Sequence, residues 1–449
     1  MCGIFGSFSS GVYLQKTLDG LRMIQHRGQE FAGIAYIRQS NSEIKLIKTK
    51  GKVNDLPVSP SECAKRTRLT IGHVRYTTSG NKEKFLAHPL KGHLVNGGEF
   101  AIAFNGNIPR CHASFAGIDV EFIRDFIQQS TDDIETTLIK LMKTVKGVYC
   151  ISVLVADAIY LIRDRYGYKP LAIYVDNHTF SSEYLGDYNT REVKPGELIK
   201  CGDKKFETVF QYPSDTLKLC LFEYIYFMNP ASSFGSIQIE KVRVDYGKTL
   251  AKKSAHKDPE NAIVIGVPYS GIVTGQSYAK QNGLEYFQGI SKKRNIRTFI
   301  MPSNEERIDM CKLKYGFDDS IKNRKVILVD DSIVRGNTLK TLIHNLREFG
   351  CAEIHIRIAS PMITHPCFYG VDMPTVEELI ASEKNANRQI EYIREYINAD
   401  SLVYLDVDEC VDPVTFRTSN GSPSGTPKRV CDTCFTGKYN SELNKEIDW

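Results

Sequence analysis

Residues 326–338 read Val-Ile-Leu-Val-Asp-Asp-Ser-Ile-Val-Arg-Gly-Asn-Thr. Four apolar residues in a row are typical of a strand that is buried on both faces, as in a parallel sheet. Two adjacent carboxylates follow, then a turn rich in N–H and hydroxyl donors, then a helical pattern. In such sheets ligands bind beyond the carboxyl ends of the strands, and a helix N-terminus suits a phosphate group. The stretch therefore predicts a strand–loop–helix site for a phosphorylated ligand.

The two halves of the chain have different patterns. In the second half, another apolar run covers residues 262–267, and helical patterns cover residues 244–256, 338–349 and 376–397. Strands that alternate with helices predict a parallel, doubly wound α/β sheet. In the first half, short strand-like runs alternate with turn signals, including a tight turn at residues 193–199.

The paired carboxylates Asp330 and Asp331 set the chemistry expected in the second half. They could take ribose hydroxyls or a Mg²⁺ ion that carries pyrophosphate, because hard oxygen ligands suit a hard cation. The pattern strand-Asp-Asp-Ser-x-x-x-Gly-x-Thr-helix resembles the 5-phosphoribosyl-1-pyrophosphate (PRPP) motif of type I phosphoribosyltransferases. This resemblance implies PRPP binding by the matching residues Asp330, Asp331, Ser332, Arg335, Gly336 and Thr338.

Two further stretches resemble parts of the same family. Residues 267–271 (Val-Pro-Tyr-Ser-Gly) resemble its pyrophosphate loop, which implies that Ser270 holds Mg²⁺ together with the paired aspartates. Residues 292–302 resemble the end of the basic flap that closes over PRPP. The chain departs from the family at Tyr269, where an aspartate is common, at Asn337, which replaces a hydroxyl residue, and in a slightly shorter flap.

At the other end of the chain, Cys2 follows Met1 in the stretch Met-Cys-Gly-Ile-Phe-Gly. If Met1 is removed, the cysteine carries a free α-amine beside its thiol, so one residue supplies both nucleophile and general base. The α-amine titrates near ~8, which leaves a usable fraction of base at neutral pH. The surrounding apolar, glycine-spaced residues predict a buried strand.

Later segments contain the groups that such a nucleophile needs. A thiolate that attacks a carboxamide creates an oxyanion, and the Asn105 side chain with the Gly106 N–H could hold it. We expect these two residues in a turn after a strand. Arg75, in a strand-like run, suits a bidentate grip on an amino-acid α-carboxylate.

Four motifs occur in the order seen in class II glutamine amidotransferases: residues 2–6, 25–30, 72–76 and 104–107. The resemblance implies an N-terminal-nucleophile (Ntn) hydrolase αββα sandwich of two antiparallel sheets between helices. It also implies that Cys2 forms a γ-glutamyl thioester and releases ammonia. As glutamine-binding residues it implies Arg75, Gly28 and Asp133, with Asp132 as the alternative to Asp133.

The twelve cysteines are not expected to form disulfides in an intracellular chain. The pair Cys431 and Cys434 (C-x-x-C) by itself fits zinc, a redox pair or an iron–sulfur cluster. With Cys220 and Cys367 it resembles the four thiolates of the iron–sulfur branch of glutamine PRPP amidotransferases. The resemblance implies a structural [4Fe–4S] cluster that anchors the C-terminal tail, with zinc as the alternative. The other cysteines beyond Cys2 are expected to be small buried hydrophobes: Cys63, Cys111, Cys150, Cys201, Cys311, Cys351 and Cys410.

Composition limits the remaining function classes. A length of 449 residues suffices for two domains with full cores, and 42% hydrophobic with 25% charged residues is ordinary for a soluble protein. A net charge of +5 gives little support for nucleic-acid binding. The chain shows no apolar run of about 18 residues and no secretory signal. We therefore expect a cytoplasmic protein of two domains, residues 2–215 and 216–449, without nucleic-acid or membrane partners.

Together the two halves resemble the amidophosphoribosyltransferase family over nearly the whole chain. The resemblance implies that glutamine is hydrolysed at Cys2 and that ammonia passes internally to PRPP, giving 5-phosphoribosylamine. It also implies feedback inhibition by purine nucleotides and a homotetramer. The alternatives are another class II amidotransferase, of the glucosamine or asparagine type, and a degenerate paralogue with a regulatory or binding role.

Overall fold

The computed structural model describes residues 2–76, 87–108, 118–184, 189–213, 217–234, 237–254, 260–292, 315–373, 375–382, 389–415 and 430–444. Its first half contains fourteen strands: β1 Gly3–Ser7, β2 Val12–Tyr13, β3 Phe31–Arg38, β4 Ile44–Lys50, β5 Arg66–Arg75, β6 Leu90–His93, β7 Glu99–Asn107, β8 Val148–Leu154, β9 Ile159–Arg163, β10 Ala172–Tyr174, β11 Thr179–Ser181, β12 Thr190–Glu192, β13 Glu197–Gly202 and β14 Lys205–Gln211. The helices among them are α1 Leu14–Met23, α2 Pro60–Cys63, α3 Asp119–Gln128 and α4 Ile134–Thr144.

These strands form two antiparallel sheets that pack face to face. One sheet has the order β12-β10-β11-β1-β5-β3-β4, with β2 paired to β5, and the other has the order β14-β13-β9-β8-β7-β6. Alternate residues of β7 face opposite cores: Ala101 and Ala103 lie between the sheets, whereas Phe100 and Ile102 pack under α3 and α4. Helix α1 covers the outer face of the first sheet. The predicted αββα sandwich is confirmed.

The second half contains β15 Leu219–Cys220, β16 Ser233–Phe234, β17 Ile237–Gln238, β18 Ala262–Gly266, β19 Glu285–Tyr286, β20 Ile290–Lys292, β21 Tyr315–Phe317, β22 Lys325–Asp330, β23 Glu353–Ile358, β24 Ser401–Tyr404 and β25 Val430–Cys431. Its helices are α5 Ile239–Lys253, α6 Ile272–Asn282, α7 Asn337–Glu348, α8 Gln389–Ile397, α9 Val407–Val411, α10 Thr433–Thr436 and α11 Ser441–Asn444.

Five of these strands make the predicted parallel sheet, in the order β19-β18-β22-β23-β24. Strand β22 is buried on both faces, which explains its unalternated sequence. Ile327 and Val329 pack toward α5 and α6, and Val326 and Leu328 pack toward α7 and α8. The carboxyl end of β22 therefore lies at the edge where α7 begins.

Two sequence predictions of local structure are wrong. Residues 376–397 do not form one helix, because a 3₁₀ turn at Val376–Glu378 is followed by non-helical residues 379–382 before α8 begins at Gln389. Asn105 and Gly106 lie inside β7, opposite Cys150 and Tyr149, and not in a turn. The tight turns at residues 193–199 and at Asn96–Gly98 are present between strands.

The predicted boundary near residue 215 falls among residues 214–216, outside the described residues. All strands of the two antiparallel sheets precede it, and the parallel sheet follows it. The halves also share a core, since Ala172 and Tyr184 pack with residues of the second half. Among the described residues, no helix is long and apolar enough to cross a membrane.

Candidate active sites and cysteine cluster

Cys2 lies between the two sheets of the sandwich, at the entry to β1. Its backbone nitrogen donates to Asn105 Oδ1 at 3.3 Å, and its Sγ donates to the Tyr76 carbonyl at 3.7 Å. Strand β1 pairs with β5, so that Gly3 faces Val74. The strand pairing thus brings the N-terminal cysteine beside residues that lie about seventy and a hundred positions later in the chain.

The surroundings of Cys2 favour its thiolate. Burial raises the pKa of the thiol. Interactions with the His73 ring, the positive N-terminus and the Arg75 guanidinium lower the pKa by more, and it falls from 9.0 to about 6. A thiolate is the reactive form of cysteine. Cys2 is therefore ionised to a large extent at neutral pH.

Asn105 is the second component of this site. Its side chain is buried, its Oδ1 accepts from the Cys2 nitrogen, and its Nδ2 has no hydrogen-bond partner among the described residues. A buried amide donor without a partner is unfavourable unless a ligand supplies an acceptor. Nδ2 is thus available for an oxyanion that forms at the thiol. Gly106 follows it in β7, where a Cβ would lie 1.9 Å from the Val148 carbonyl oxygen, so only glycine fits.

Arg75 and Gly28 meet at the same end of the sandwich. The Arg75 side chain is buried, and its Nη1 lies 2.9 Å from His88 Nε2. A Cβ on Gly28 would lie 2.5 Å from the Arg75 carbonyl carbon, so the glycine lets the two backbones pack together. The Arg75 charge interacts with Cys2 and with the carboxylates of Asp119 and Glu121.

The first and second halves are joined beside Cys2 by buried charges. Arg27 donates from Nε to the Cys2 carbonyl at 3.2 Å and from Nη2 to both carboxylate oxygens of Glu223, at 2.8 and 3.1 Å. Its Nη1 lies 3.5 Å from Glu183 Oε2, which also lies 2.8 Å from His26 Nε2. The Arg27 and Glu223 side chains are both fully buried, and removing the Arg27 charge would leave the buried Glu223 carboxylate without this cation, which costs about 3–5 kcal/mol.

In the second half, the paired aspartates lie where β22 ends. Ser270 Oγ donates to Asp330 Oδ1 at 3.1 Å, the Asp331 N–H donates to the same oxygen at 2.9 Å, and Ser332 Oγ donates to Asp331 Oδ2 at 2.6 Å. Burial and the neighbouring Asp331 charge hold the pKa of Asp330 well above its usual range. The predicted metal residues Ser270, Asp330 and Asp331 are therefore in direct contact.

The rest of the motif forms the turn into α7. Gly336 adopts φ +76°, which favours glycine, and precedes Asn337 and Thr338 in the first turn of the helix. Arg335 is half exposed and donates to Glu378 Oε1 at 2.6 Å. Asn337, which departs from the family pattern, accepts at Oδ1 from the Tyr396 hydroxyl at 2.7 Å and so ties α7 to α8. Tyr269, the other departure, is 70% exposed.

Two tyrosines connect the surroundings of the two sites. Tyr76, whose carbonyl accepts from Cys2, interacts electrostatically with Arg335 of the PRPP motif. Tyr226 interacts with Asp330 and Asp331 as well as with Tyr76. Tyr76 is thus in contact with Cys2 and within electrostatic reach of Tyr226, which is itself within electrostatic reach of the paired aspartates.

The four predicted cluster cysteines also come together. Cys220 and Cys431 are partners in the parallel pair β15–β25. Cys434 interacts electrostatically with Cys367, Cys220 and Cys431, and burial raises the pKa of the Cys431 thiol to about 11. Among the described residues, no three His, Cys, Asp or Glu side chains are placed, as they stand, to hold one metal ion.

The remaining cysteines were predicted to be buried. Four of them are: Cys150, Cys201, Cys351 and Cys410. Cys63 is half buried, and Cys111 and Cys311 lie outside the described residues.

Comparisons with known proteins agree with both halves. The family model for the phosphoribosyl transferase domain matches residues 236–362. Amidophosphoribosyltransferases from Mycobacterium bovis, Bacillus subtilis and Pyrococcus horikoshii are 34%, 33% and 36% identical to this chain, covering 99%, 99% and 98% of it and 87%, 95% and 96% of themselves. The chain belongs to the amidophosphoribosyltransferase family.

Solved structures of this family have the same fold. The glutamine PRPP amidotransferase of B. subtilis, complexed with ADP and GMP, superposes with a TM-score of 0.83 at 32% identity and covers 98% of this chain and 97% of its own. A structure of the allosteric regulatory enzyme of purine biosynthesis gives the same TM-score and identity. As an amidophosphoribosyltransferase, the protein catalyses the glutamine-dependent first step of purine biosynthesis, in which PRPP and glutamine give 5-phosphoribosylamine.

The structure of this amidophosphoribosyltransferase does not place Asp133 with the other glutamine-site residues. Asp133 is exposed and caps α4, accepting from the Thr136 N–H at 3.0 Å and from its hydroxyl at 2.6 Å. Helix α4 packs on the outer face of the second sheet, whereas Cys2 lies on the inner side. The alternative, Asp132, pairs with Lys140 at 2.5 Å on the same outer helix.

A carboxylate near the site that the sequence analysis missed is Asp119. It is buried at the start of α3, its Oδ2 accepts from the Ile108 N–H at 3.0 Å, and its charge acts on Arg75. A usable signal existed in Ile118-Asp-Val-Glu121, an acidic helix start that directly precedes an apolar periodic run. Of the predicted flap, residues 292–302, only Lys292 at the end of β20 is described, and residues 293–302 lie outside the described residues.

Proposed function

We propose that Cys2, made N-terminal by removal of Met1, is the nucleophile that hydrolyses glutamine in this amidophosphoribosyltransferase. One observation carries the proposal: a thiol with a lowered pKa lies beside Asn105, whose Nδ2 has no hydrogen-bond partner among the described residues. The thiolate attacks the carboxamide carbon, and Asn105 Nδ2 with the Gly106 N–H stabilises the oxyanion. The α-amine, positioned by Asn105 Oδ1, donates the proton with which ammonia leaves, and water then attacks the resulting thioester and releases glutamate and the free Cys2 thiol.

Glutamine is held by groups at the same end of the sandwich. Arg75 binds the α-carboxylate, and Gly28 leaves room for it beside the Arg75 backbone. Asp119 takes the role that the sequence assigned to Asp133 and binds the α-ammonium group. Its burial and its interaction with Arg75 support this assignment, because a glutamine molecule carries both charges on one carbon atom.

PRPP binds at the carboxyl end of β22. Ser332, Arg335, Gly336 and Thr338 form the phosphate-binding turn at the start of α7. Ser270, Asp330 and Asp331 suit Mg²⁺, because two adjacent carboxylates that include a buried one need a cation, and all three donors are hard oxygens. When bound, the ion would neutralise charge on the pyrophosphate leaving group.

Ammonia reaches PRPP through the region between Tyr76 and Tyr226. The contact of the Tyr76 carbonyl with Cys2, together with the electrostatic interactions of Tyr226 with Tyr76, Asp330 and Asp331, supports an internal path. Ammonia released into water at neutral pH is mostly ammonium, which is not nucleophilic, so a sheltered path preserves its reactivity.

The four cysteines form a structural metal site, with [4Fe–4S] as the proposed occupant and zinc as the alternative. Two observations support this proposal: the thiols of β15, of residue 367 and of the C-terminal tail interact with one another, and a buried lysine that interacts with two of them lacks a hydrogen-bonding partner among the described residues. The cluster would supply folding free energy and no redox step, because metal binding and folding are coupled. Anaerobically purified protein should contain iron and absorb broadly near ~400 nm. Stoichiometric zinc without iron would select the alternative.

Purine nucleotides are proposed as feedback inhibitors, because the B. subtilis relative was solved with ADP and GMP. A homotetramer and a cytoplasmic location remain predictions.

The PRPP site can be tested by comparing two aspartates of the same half. Asp331→Asn should abolish synthesis from glutamine and also from added ammonia, because both routes use PRPP. Asp319→Asn, at an exposed 3₁₀ turn, is the matched control and should retain both activities. Loss of only the glutamine route in the Asp331 variant would contradict the assignment.

A further inference from the structure

Lys169 is a fully buried cation whose ammonium group has no hydrogen-bond partner among the described residues. A buried ammonium is costly unless a negative charge or a set of acceptors compensates it. Lys169 therefore needs a negatively charged group nearby, and no hydrogen bond within the described part of the protein provides one.

The residue before Lys169 is hydrogen-bonded to one of the four cysteines and packs next to another. The Cys220 N–H donates to the carbonyl of the preceding residue, Tyr168, at 3.1 Å. The Tyr168 ring packs against Tyr369 at 4.8 Å between centroids, and the Tyr369 N–H donates to Cys367 Sγ at 3.4 Å. The lysine charge itself interacts with Cys220 and Cys431.

The nearby carboxylates are engaged elsewhere. Glu223, which also interacts with Cys220, accepts two hydrogen bonds from Arg27. Asp164 accepts from the N–H groups of Tyr166 and Gly167 at 2.8 and 2.9 Å. Both carboxylates therefore have hydrogen-bond partners of their own, and the four thiols would supply negative charge near the lysine once a bound metal has deprotonated them.

We propose that Lys169 is the buried counter-charge of the metal centre held by Cys220, Cys367, Cys431 and Cys434. Four thiolates outweigh the positive charge of a [4Fe–4S]²⁺ core and that of a zinc ion, so the centre is anionic with either occupant. An ammonium group in the same dry surroundings offsets part of that charge and stabilises the loaded site. The inference rests on the proposed four-cysteine site but not on the choice between iron and zinc.

The test compares three variants purified anaerobically alongside wild type. Lys169→Gln removes the charge and keeps a polar side chain, and Lys169→Arg keeps the charge. Lys218→Gln is the matched control, because this lysine lies close to Cys220 in sequence but is only half buried, over the Tyr166 ring. The readouts are metal content per chain, the rate of metal loss to a chelator and, for an iron-loaded protein, the midpoint potential.

Lys169→Gln should lose metal at least about tenfold faster than wild type, as is common when a group beyond the direct ligands is removed. Its midpoint potential should be more negative, because the added electron meets less positive charge. Lys169→Arg and Lys218→Gln should both behave like wild type. Equal metal retention and potential in Lys169→Gln, or equally fast loss from Lys169→Arg, would overturn the role of the charge. Wild-type protein without any metal would instead overturn the four-cysteine site itself.

Discussion

At the scale of single residues, the chemistry of the glutamine site depends on side chains that strand pairing brings together. Sequence motifs identified Cys2, Arg75 and Asn105, because each residue type matches one step of amide hydrolysis. They did not identify Asp119, since a short acidic helix start resembles any N-terminal cap. The stretch around Asp133 resembled the expected acidic site more closely. Both α3 and α4 pack on the outer face of the second sheet, and the two candidates differ in that Asp119 is buried and acts on Arg75, whereas Asp133 is exposed.

The assignment of the α-ammonium group to Asp119 predicts a kinetic difference between two variants. Asp119→Asn should raise the KM for glutamine by about 30-fold or more, because a buried charge partner is lost, while ammonia-dependent synthesis stays unchanged. Asp133→Ala should leave this KM unchanged and lower stability by about 1 kcal/mol through loss of the α4 cap. Steady-state kinetics with glutamine and thermal unfolding check both. The reverse pattern would restore Asp133 as the ligand.

The low pKa of Cys2 predicts how its reactivity depends on pH. Only the thiolate is alkylated at an appreciable rate, and its fraction rises as the pH passes through the pKa of about 6. Iodoacetamide modification of the Cys2 peptide, followed by mass spectrometry, should therefore accelerate about tenfold between about pH 5 and about pH 7. His73→Gln should shift this rise to higher pH. A rise that begins only above about pH 8 would show that the thiol is unperturbed.

At the scale of elements, buried strands were the most predictable part of the fold. The runs at 262–267 and 326–329 are strands because unalternated apolar residues suit a sheet covered on both faces. Asn105-Gly106 was misread as a turn, since the glycine is required by close packing and not by a positive φ. Residues 376–397 have helical periodicity, but residues 379–382 are not helical, and the Ile380 N–H donates to the Val334 carbonyl.

Contacts between the loop after Cys367 and strand β7 predict that this loop holds Asn105 and Gly106 in place. Gly370 has φ +91°, and a Cβ there would lie 3.2 Å from the carbonyl carbon of Gly106. Asn107 Nδ2 also donates to the Phe368 carbonyl at 2.9 Å. Gly370→Ala should therefore lower glutamine-dependent synthesis by at least about tenfold, because small displacements of catalytic groups are costly, and should spare the ammonia-dependent reaction.

Gly97→Ala is the matched control for this variant. Gly97 has a similar φ of +86°, but a Cβ there meets nothing within 4 Å. Both substitutions should cost about 1–3 kcal/mol in unfolding free energy through backbone strain, and only Gly370→Ala should reduce glutamine-dependent activity. Equal activities in the two variants would show that the loop does not support the strand.

At the scale of the whole molecule, the two halves are one enzyme because their sites share a buried boundary. Arg27 binds the Cys2 carbonyl on one side and Glu223 of the second half on the other. The sequence predicted both halves and their joint reaction, but it could not predict this ion network. Nothing in the pattern of Gln25-His-Arg-Gly28 specifies which of the chain's many acidic residues the arginine will meet after folding.

In the proposed reaction, ammonia made at Cys2 is consumed at the Asp330–Asp331 site. The most direct measurement is the rate of 5-phosphoribosylamine formation by Cys2→Ala, with glutamine and with added ammonia as alternative nitrogen donors. We expect no detectable synthesis from glutamine and a wild-type rate from ammonia, because the second site needs only the product of the first. Glutamine-dependent synthesis that survives in Cys2→Ala would show that Cys2 is not the source of the ammonia.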